Sequence, residues 1–323
     1  MTRSLRLEFP GAVYHVMADE YSDSPLANPQ HPEFRFHRRI VSAYHRPIQF
    51  LQTMIRIFLL LTALFGASTF AAEMPVKLFL LGGQSNMDGC GLWNELPENL
   101  KQTPANVRIW DNKTLEWKKI GEDSTAIARK LQFGPELVFS HRLSAAFPDH
   151  EIRLVKTSAG GTSLADGWLP EKKKMYARFI ANYQNALADL EKSGHAVETA
   201  GMLWMQGEGD SDTFERAEAY EKNLPILLAD VREKTGKPHL PVVMGRISSS
   251  LLKKTPWVFD HAPVVQKAQD AVAAKDPDAY LVQTDDLTTL KDNTHFDTAG
   301  QTTLGERMAS EMLKALVATK PGS

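Results

Sequence analysis

Ser85, Asp292 and His295 are the residues of this sequence whose types and settings could do chemistry together. Ser85 lies in Leu78-Phe-Leu-Leu-Gly-Gly-Gln-Ser-Asn-Met87, where an apolar run meets Gly82-Gly83 and then the polar triplet Gln84-Ser85-Asn86. A short buried strand that ends in a glycine turn presents its next residues at the carboxyl edge of an α/β sheet, where such sheets hold ligands and nucleophiles. The same stretch also fits an ordinary strand-to-helix turn in which Ser85 caps the helix. A serine hydroxyl becomes an effective nucleophile only when a base takes its proton and a third group orients the base. Asp292-Asn-Thr-His295 could supply both. In a tight loop, a carboxylate three residues before a histidine can reach the imidazole Nδ1–H and leave Nε2 free.

Acyl transfer on such a serine also needs donors for the oxyanion of its tetrahedral intermediate. Ser158-Ala-Gly-Gly-Thr-Ser163 contains glycines that let a backbone N–H approach closely, and Trp204-Met-Gln-Gly-Glu-Gly-Asp210 offers the side-chain amide of Gln206. Gln84 and Asn86, on either side of Ser85, and the acidic pair Glu208 and Asp210 read as supports for the loops of this site.

The elements that must position these residues are legible as alternating patterns. Short apolar runs at Val76–Leu81, Ile152–Val155, Ala200–Met205, Pro241–Ile247 and Ala279–Gln283 read as strands covered on both faces. Amphipathic, helix-length segments lie between them at Glu136–Phe147, Met175–Lys192, Phe214–Lys234 and Ala262–Lys275, and Ala299–Ala318 closes the pattern. Alternation of this kind predicts α/β architecture: a central parallel sheet of about five strands in a three-layer α/β/α sandwich. Each polar block then falls at the carboxyl end of a strand. The interval Asp88–Phe133, with Trp93, Trp110 and Trp117 among turn residues, reads as long loops with a small hairpin, the tryptophans packing them onto the domain.

Composition narrows the classes. The chain has 323 residues, 43% hydrophobic and 24% charged, with a net charge of −2. That is ordinary for a globular protein and lacks the basic excess of a nucleic-acid binder. The single cysteine, Cys90, allows no internal disulfide, and no Cys/His cluster calls for a metal. Gly83-x-Ser85-x-Met87 lacks the second glycine of a nucleophile elbow, and Gly82-Gly83 has no Gly-x-Gly-x-x-Gly continuation, which argues against an α/β-hydrolase and against dinucleotide binding. No cofactor is expected. His141, His195, His239 and His261 have no partner at ligand spacing and read as surface or capping residues; Lys172-Lys-Lys174 reads as a solvated helix start, and Trp168 as either a pocket wall or core.

Residues 1–53 show no sustained period and read as a non-native or disordered extension. Residues 54–72, opening Met54-Ile-Arg56 and ending Ala67-Ser-Thr-Phe-Ala-Ala72, read as a secretory signal peptide. Its apolar run is shorter than the ~18–20 residues that span a bilayer, so no stable membrane insertion is expected after cleavage, and the domain over residues 73–323 would be secreted or periplasmic. Met1–Val16 resembles the opening of transposases associated with repetitive extragenic palindromes; the catalytic parts of that family are missing, so no nucleic-acid partner is implied.

The blocks carry a second resemblance. Gly83-Gln-Ser-Asn-Met87, Gly160-Gly-Thr-Ser-Leu164, Gln206-Gly-Glu-Gly-Asp210 and Asp292-x-x-His295, in that order, resemble those of SGNH (GDSL-like) hydrolases, and more narrowly the sialate O-acetylesterase-like group that includes carbohydrate esterase family six. Phe133-Gly-Pro-Glu136 resembles a further block of that group. The resemblance implies a flavodoxin-like α/β/α fold and a metal-free serine esterase that removes acetyl groups from carbohydrates. It implies Ser85 as nucleophile and oxyanion donor, His295 as base and Asp292 as its orienting carboxylate. Gly160 would give the second oxyanion N–H, with Gly161 as the alternate. The wider superfamily places an asparagine in the third block where this chain has Gln206. The alternative is a non-catalytic carbohydrate-binding module on the same scaffold, against which the presence of Ser85, Asp292 and His295 argues. No oligomeric state follows from the sequence.

Overall fold

The computed structural model describes residues 5–9, 12–16, 74–121, 131–170, 173–253 and 258–318. The chain divides into two units, Met1–Ala71 and Ala72–Ser323. In the first, β1 (Leu5–Phe9) and β2 (Ala12–Val16) pair as an antiparallel hairpin with Leu5 opposite Val16. The remainder of the expected extension and the expected signal peptide over residues 54–72 lie outside the described residues.

The second unit is built on β3 (Val76–Gly83), whose eight residues are all buried. A strand buried on both faces must carry apolar side chains on both, which is why its sequence reads as a continuous run rather than an alternation. Phe79 meets Phe139 edge-on, with ring centroids 5.3 Å apart. Three residues on and on the opposite face, Gly82 leaves room for Trp204 and Phe179, whose rings a Cβ at Gly82 would approach to 3.1 and 3.4 Å. Trp168 completes that cluster, 5.0 Å from Trp204 and 5.9 Å from Phe179, and is fully buried. It is therefore core and not pocket wall.

β3 pairs in parallel with β8 (Glu151–Ser158) on one side and β9 (Val197–Met205) on the other. β10 (Val242–Gly245) and β11 (Ala279–Val282) extend the sheet beyond β9, also in parallel. All five expected strands are present. The sheet has seven strands, however, because β5 (Val107–Asp111) pairs in parallel with β8, and β6 (Glu116–Lys118) turns back antiparallel to β5 at the edge. The interval expected as loops with a hairpin thus contributes a hairpin to the main sheet, and the sheet is mixed. Trp110 and Trp117, 5.1 Å apart and edge-on, hold that hairpin together. At the two ends of the interval, β4 (Gly91–Leu92) and β7 (Gln132–Phe133) make a short antiparallel pair.

Helices cover both faces. The helix Glu136–Ala146 packs with Thr298–Ala318, and Phe214–Thr235 packs with Ala262–Lys275; Lys174–Lys192 covers β8 and β9. We label these, after the short helices α1 (Ser85–Asp88) and α2 (Glu98–Lys101), as α3 (Glu136–Ala146), α4 (Lys174–Lys192), α5 (Phe214–Thr235), α6 (Ala262–Lys275) and α7 (Thr298–Ala318). The result is a three-layer α/β/α sandwich. Among the described residues, no helix is long and apolar enough to cross a membrane.

Candidate active site

The parallel register aligns the carboxyl ends of the three central strands. Gly83 lies opposite both Ser158 and Met205, so the segments that leave β3, β8 and β9 start side by side. Gly83 has φ +152, and a Cβ there would sit 2.1 Å from the Met205 carbonyl oxygen. Only glycine fits this turn, which delivers Ser85 to the sheet edge. Ser85 is the first residue of the one-turn helix α1. Gln84 holds the N-cap position and the cap has no side-chain hydrogen bond, so the hydroxyl of Ser85 is not spent on capping.

Asp292 and His295 form a closed loop ahead of α7. The backbone folds by Leu290 N–H donating to the His295 carbonyl at 2.8 Å and Asn293 N–H to the Leu290 carbonyl at 3.0 Å, with Asn293 at φ +57. Asp292 Oδ1 accepts the N–H groups of Thr294 and His295, both at 3.0 Å, and Oδ2 meets His295 Nδ1 at 2.7 Å. Partial burial pushes the Asp292 carboxyl up, but the His295 ring and these two N–H groups outweigh it and hold the group below the usual range. The carboxylate fixes the loop and the imidazole orientation with the same two oxygens.

Ser85, His295, Gly160 and Gly161 line one cleft of about 520 Å³, together with Gln84, Gly209, Asp212, Val258, Phe259 and Thr294. That volume is in the range of small-ligand sites. A Cβ on Gly160 would stand 3.6 Å from that of Ser85, which places the glycine loop directly over the serine. Gly161, at φ +70, has open space around it.

Beneath the cleft lies a buried polar network. Asn86 bridges two segments distant from it and from each other in sequence: its Nδ2 donates to Glu208 Oε1 at 2.7 Å and to the Thr294 carbonyl at 3.0 Å, and its Oδ1 accepts Phe296 N–H at 3.0 Å. It therefore grips the histidine loop on both sides of His295. Gln84 Oε1 accepts Gly209 N–H at 3.0 Å and Gln206 Nε2 at 3.2 Å, tying α1 to the loop after β9. Asp210 accepts the N–H groups of Leu164 at 2.7 Å and Ala165 at 3.1 Å, and so anchors the segment after the glycine loop. Burial pushes its carboxyl up to about 6, against those two donors and the Gln206 amide. Complete burial likewise pushes Glu208 up, opposed by the Asn86 amide.

Gln206 is fully buried and does not line the cleft. Its Nε2 points at Asp210 Oδ2 at 2.6 Å, the Thr162 carbonyl at 3.1 Å and Gln84 Oε1 at 3.2 Å. All its donor capacity is taken up in holding the three loops against one another.

Lys156, whose side chain is almost fully buried, supports the other end of α1. Its Nζ donates to the Asp88 carbonyl at 2.7 Å and to Glu136 Oε2 at 2.8 Å, and Glu136 Oε1 accepts Gly134 N–H at 2.9 Å. This gives the Phe133–Glu136 block a structural role behind the serine. Cys90 is buried. His239 pairs with Asp278 at the surface, at 3.0 Å, and Lys174 is exposed at its helix start, while Lys172 lies outside the described residues. Among the described residues no cluster of His, Cys, Asp or Glu is placed to hold a metal ion. Sequence reasoning did not single out Asp212, Val258, Phe259 or Thr294 in the cleft. Asp212 follows the Gln206–Asp210 block by two residues, the signal that could have found it.

Solved structures of the same fold include a protein of Arabidopsis thaliana, 24% identical, covering 74% of this chain and 98% of that one with a TM-score of 0.63. NanS is 14% identical over 75% of this chain and 97% of that one, with a TM-score of 0.57. A carbohydrate acetylesterase from Xanthomonas citri is 18% identical over 76% of this chain and 57% of that one, with a TM-score of 0.55. By sequence, the chain is 25% identical to a probable carbohydrate esterase of Arabidopsis thaliana over 256 residues, 74% of this chain and 91% of that protein. Residues 75–314 match the family of carbohydrate esterases described as sialic acid-specific acetylesterase, and the chain belongs to that family. It is accordingly a carboxylic ester hydrolase of the carbohydrate acetylesterase kind.

Proposed function

We propose that this protein removes acetyl groups from carbohydrates through an acyl-enzyme on Ser85. The observation that carries the reading is the 2.7 Å contact between Asp292 Oδ2 and His295 Nδ1, in a loop whose histidine lines the same cleft as Ser85 and Gly160. With Nδ1–H held by Asp292, Nε2 of His295 is the unprotonated nitrogen and takes the proton of Ser85 Oγ as that oxygen attacks the acetyl carbonyl. The oxyanion is received by the backbone N–H groups of Ser85 and Gly160, with Gly161 as the alternate. His295 then gives its proton to the departing sugar oxygen. Water, deprotonated by the same nitrogen, cleaves the acetyl-serine and releases acetate.

Gln206 enters this scheme as a strut. Its amide donors are engaged by Asp210, Thr162 and Gln84, so it acts by fixing the glycine loop over Ser85 rather than by touching the oxyanion. Asn86, Gln84, Glu208 and Asp210 hold the loops in the same way. The protein is exported, with residues 54–72 as the cleaved leader; Edman or mass-spectrometric reading of the mature N-terminus tests that, and a mature chain beginning upstream of Met54 refutes it.

Ser85→Ala and His295→Ala are each expected to lower kcat/KM on p-nitrophenyl acetate by ~10³-fold or more with folding retained. A fluorophosphonate probe should label Ser85 in the wild-type protein. Near-wild-type turnover in both variants, or no labelling, refutes the assignment.

A further inference from the structure

We propose that one flank of the cleft, from Asp212, Val258 and Phe259 outward to the ring pair Phe214–His261, is a recognition surface for a neutral sugar chain, so that an acetylated oligosaccharide is a better substrate than an acetylated monosaccharide. The inference rests on the esterase reading above.

Two chain segments leave the cleft side by side on this flank. Asp212-Thr213-Phe214 runs into α5, and Phe259-Asp260-His261 runs into α6. His261 N–H donates to the Ser211 carbonyl at 3.1 Å, and the rings of Phe214 and His261 meet edge-on at 5.7 Å. Phe214 is nevertheless half exposed, and Val258, in the cleft itself, is 63% exposed. A single exposed apolar residue is ordinary. Here Val258 lines the cleft with Ser85 and His295, and the Phe214–His261 ring pair stands two residues along the chain from the cleft residues Asp212 and Phe259.

The polar part of the flank is fixed in advance. Both carboxylate oxygens of Asp212 accept from Arg216 Nη1, at 2.9 and 3.0 Å, and Arg216 Nε is bound to Asp166 Oδ2 at 2.8 Å. A carboxylate oxygen keeps a lone pair after such a contact, so Asp212 can still accept from a ligand hydroxyl. Aromatic and aliphatic surface for the C–H face of a pyranose, beside an oriented acceptor for its hydroxyls, matches the two-sided chemistry of a sugar. Two carboxylates share one guanidinium, so the Asp166–Arg216–Asp212 cluster carries a net negative charge, which favours a neutral chain over an anionic one beside it.

The test compares kcat/KM for acetate release from O-acetylated xylopentaose and from O-acetylated xylose. The wild-type protein should prefer the pentasaccharide by about tenfold, the scale of burying one face of an aromatic side chain. Phe214→Ala should bring the ratio near unity, mainly through KM, while Phe214→Trp should keep it. Asp212→Asn should raise kcat/KM on O-acetylated sialic acid relative to acetylated xylose severalfold. Equal wild-type rates on the two xylose substrates, an unchanged ratio in Phe214→Ala, or an unchanged sialic-acid ratio in Asp212→Asn would overturn the inference while leaving the esterase reading intact. No acetate release from any of these substrates by the wild-type protein would refute the esterase reading itself.

Discussion

Replacing Asn86 by alanine tests whether the clamp beneath the cleft holds the site together. The side chain is 1% exposed and makes three hydrogen bonds, to Glu208, to the Thr294 carbonyl and from Phe296 N–H. Alanine fills none of them and admits no solvent to the groups left behind. Each buried group orphaned in this way costs about 1–3 kcal/mol, so the three together cost about 3–9 kcal/mol. A domain stabilised by only ~5–15 kcal/mol loses a large share of its margin. At ~2–4 °C per kcal/mol for a domain of this size, thermal unfolding should begin about 10 °C lower or more. Activity should fall further than stability alone implies. Thr294 and Phe296 flank His295, the base of the proposed mechanism, and a displacement of ~1 Å at such a group costs on the order of 10²-fold.

The measurement is circular-dichroism melting together with kcat/KM on p-nitrophenyl acetate at a temperature where the variant is folded. Asn86→Asp sharpens it. Aspartate keeps the acceptor for Phe296 N–H but sets its second oxygen against Glu208 Oε1 and the Thr294 carbonyl, two acceptors. Because burial raises the pKa of Glu208, the new contact can share a proton in mild acid and not at higher pH. Asn86→Asp should therefore be closer to wild type in stability at about pH 5 than at about pH 8, a difference that Asn86→Ala should not show. An Asn86→Ala protein that melts within ~2 °C of wild type with comparable turnover would show that the clamp does not bear on the site.

Other substitutions probe different parts of the frame. Gly83→Ala puts a Cβ against the Met205 carbonyl in a backbone conformation that alanine rarely adopts, and should leave little folded, active protein, as read by soluble yield and melting. Lys156→Met strands the Glu136 carboxylate and the Asp88 carbonyl in the interior and should cost about 3–5 kcal/mol in chemical denaturation, with Glu136→Gln on the same background recovering part of it. Asp210 carries a pKa raised from 3.8 to about 6, so its contribution to stability is fully present below about 3.8 and is lost as pH rises through about 6. The span corresponds to about 3 kcal/mol. Comparing urea unfolding of wild type and Asp210→Asn between about pH 4 and pH 7, the asparagine variant should lack this decline; parallel curves would refute the assignment.

Which features could be read from the sequence follows from how far each signal reaches. β3 and the second half of β9 are buried on both faces, so burial forces apolar runs that stand out unaided, whereas buried Arg153 and Lys156 interrupt the apolar residues of β8. β5 is nearer the sheet edge, and its Val-Arg-Ile-Trp-Asp pattern mixes buried and half-buried positions. β6 is only three residues long and follows a turn through Leu115 at φ +56, a conformation that its sequence does not advertise. Asp292 and His295 meet within one local turn, and their spacing was sufficient to anticipate the contact.

The direction of a long side chain is a different kind of question. Gln206 has an amide capable of donating to an oxyanion, and it stands at the carboxyl end of the right strand. Whether it faces the cleft depends on what surrounds it, and those partners come from three other segments: Gln84 after β3, Thr162 after β8 and Asp210 past the next turn. Asp210 is the decisive one. A buried carboxylate oxygen 2.6 Å from Nε2 draws the amide inward far more strongly than a neutral carbonyl would, since charged acceptors make hydrogen bonds roughly twice as strong. Turning the amide toward substrate would leave that carboxylate without one of its three donors in the protein interior. The acid in the Gln-Gly-Glu-Gly-Asp block thus determines what its glutamine does, and the mechanism proposed above accordingly assigns the oxyanion to backbone N–H groups and not to this amide.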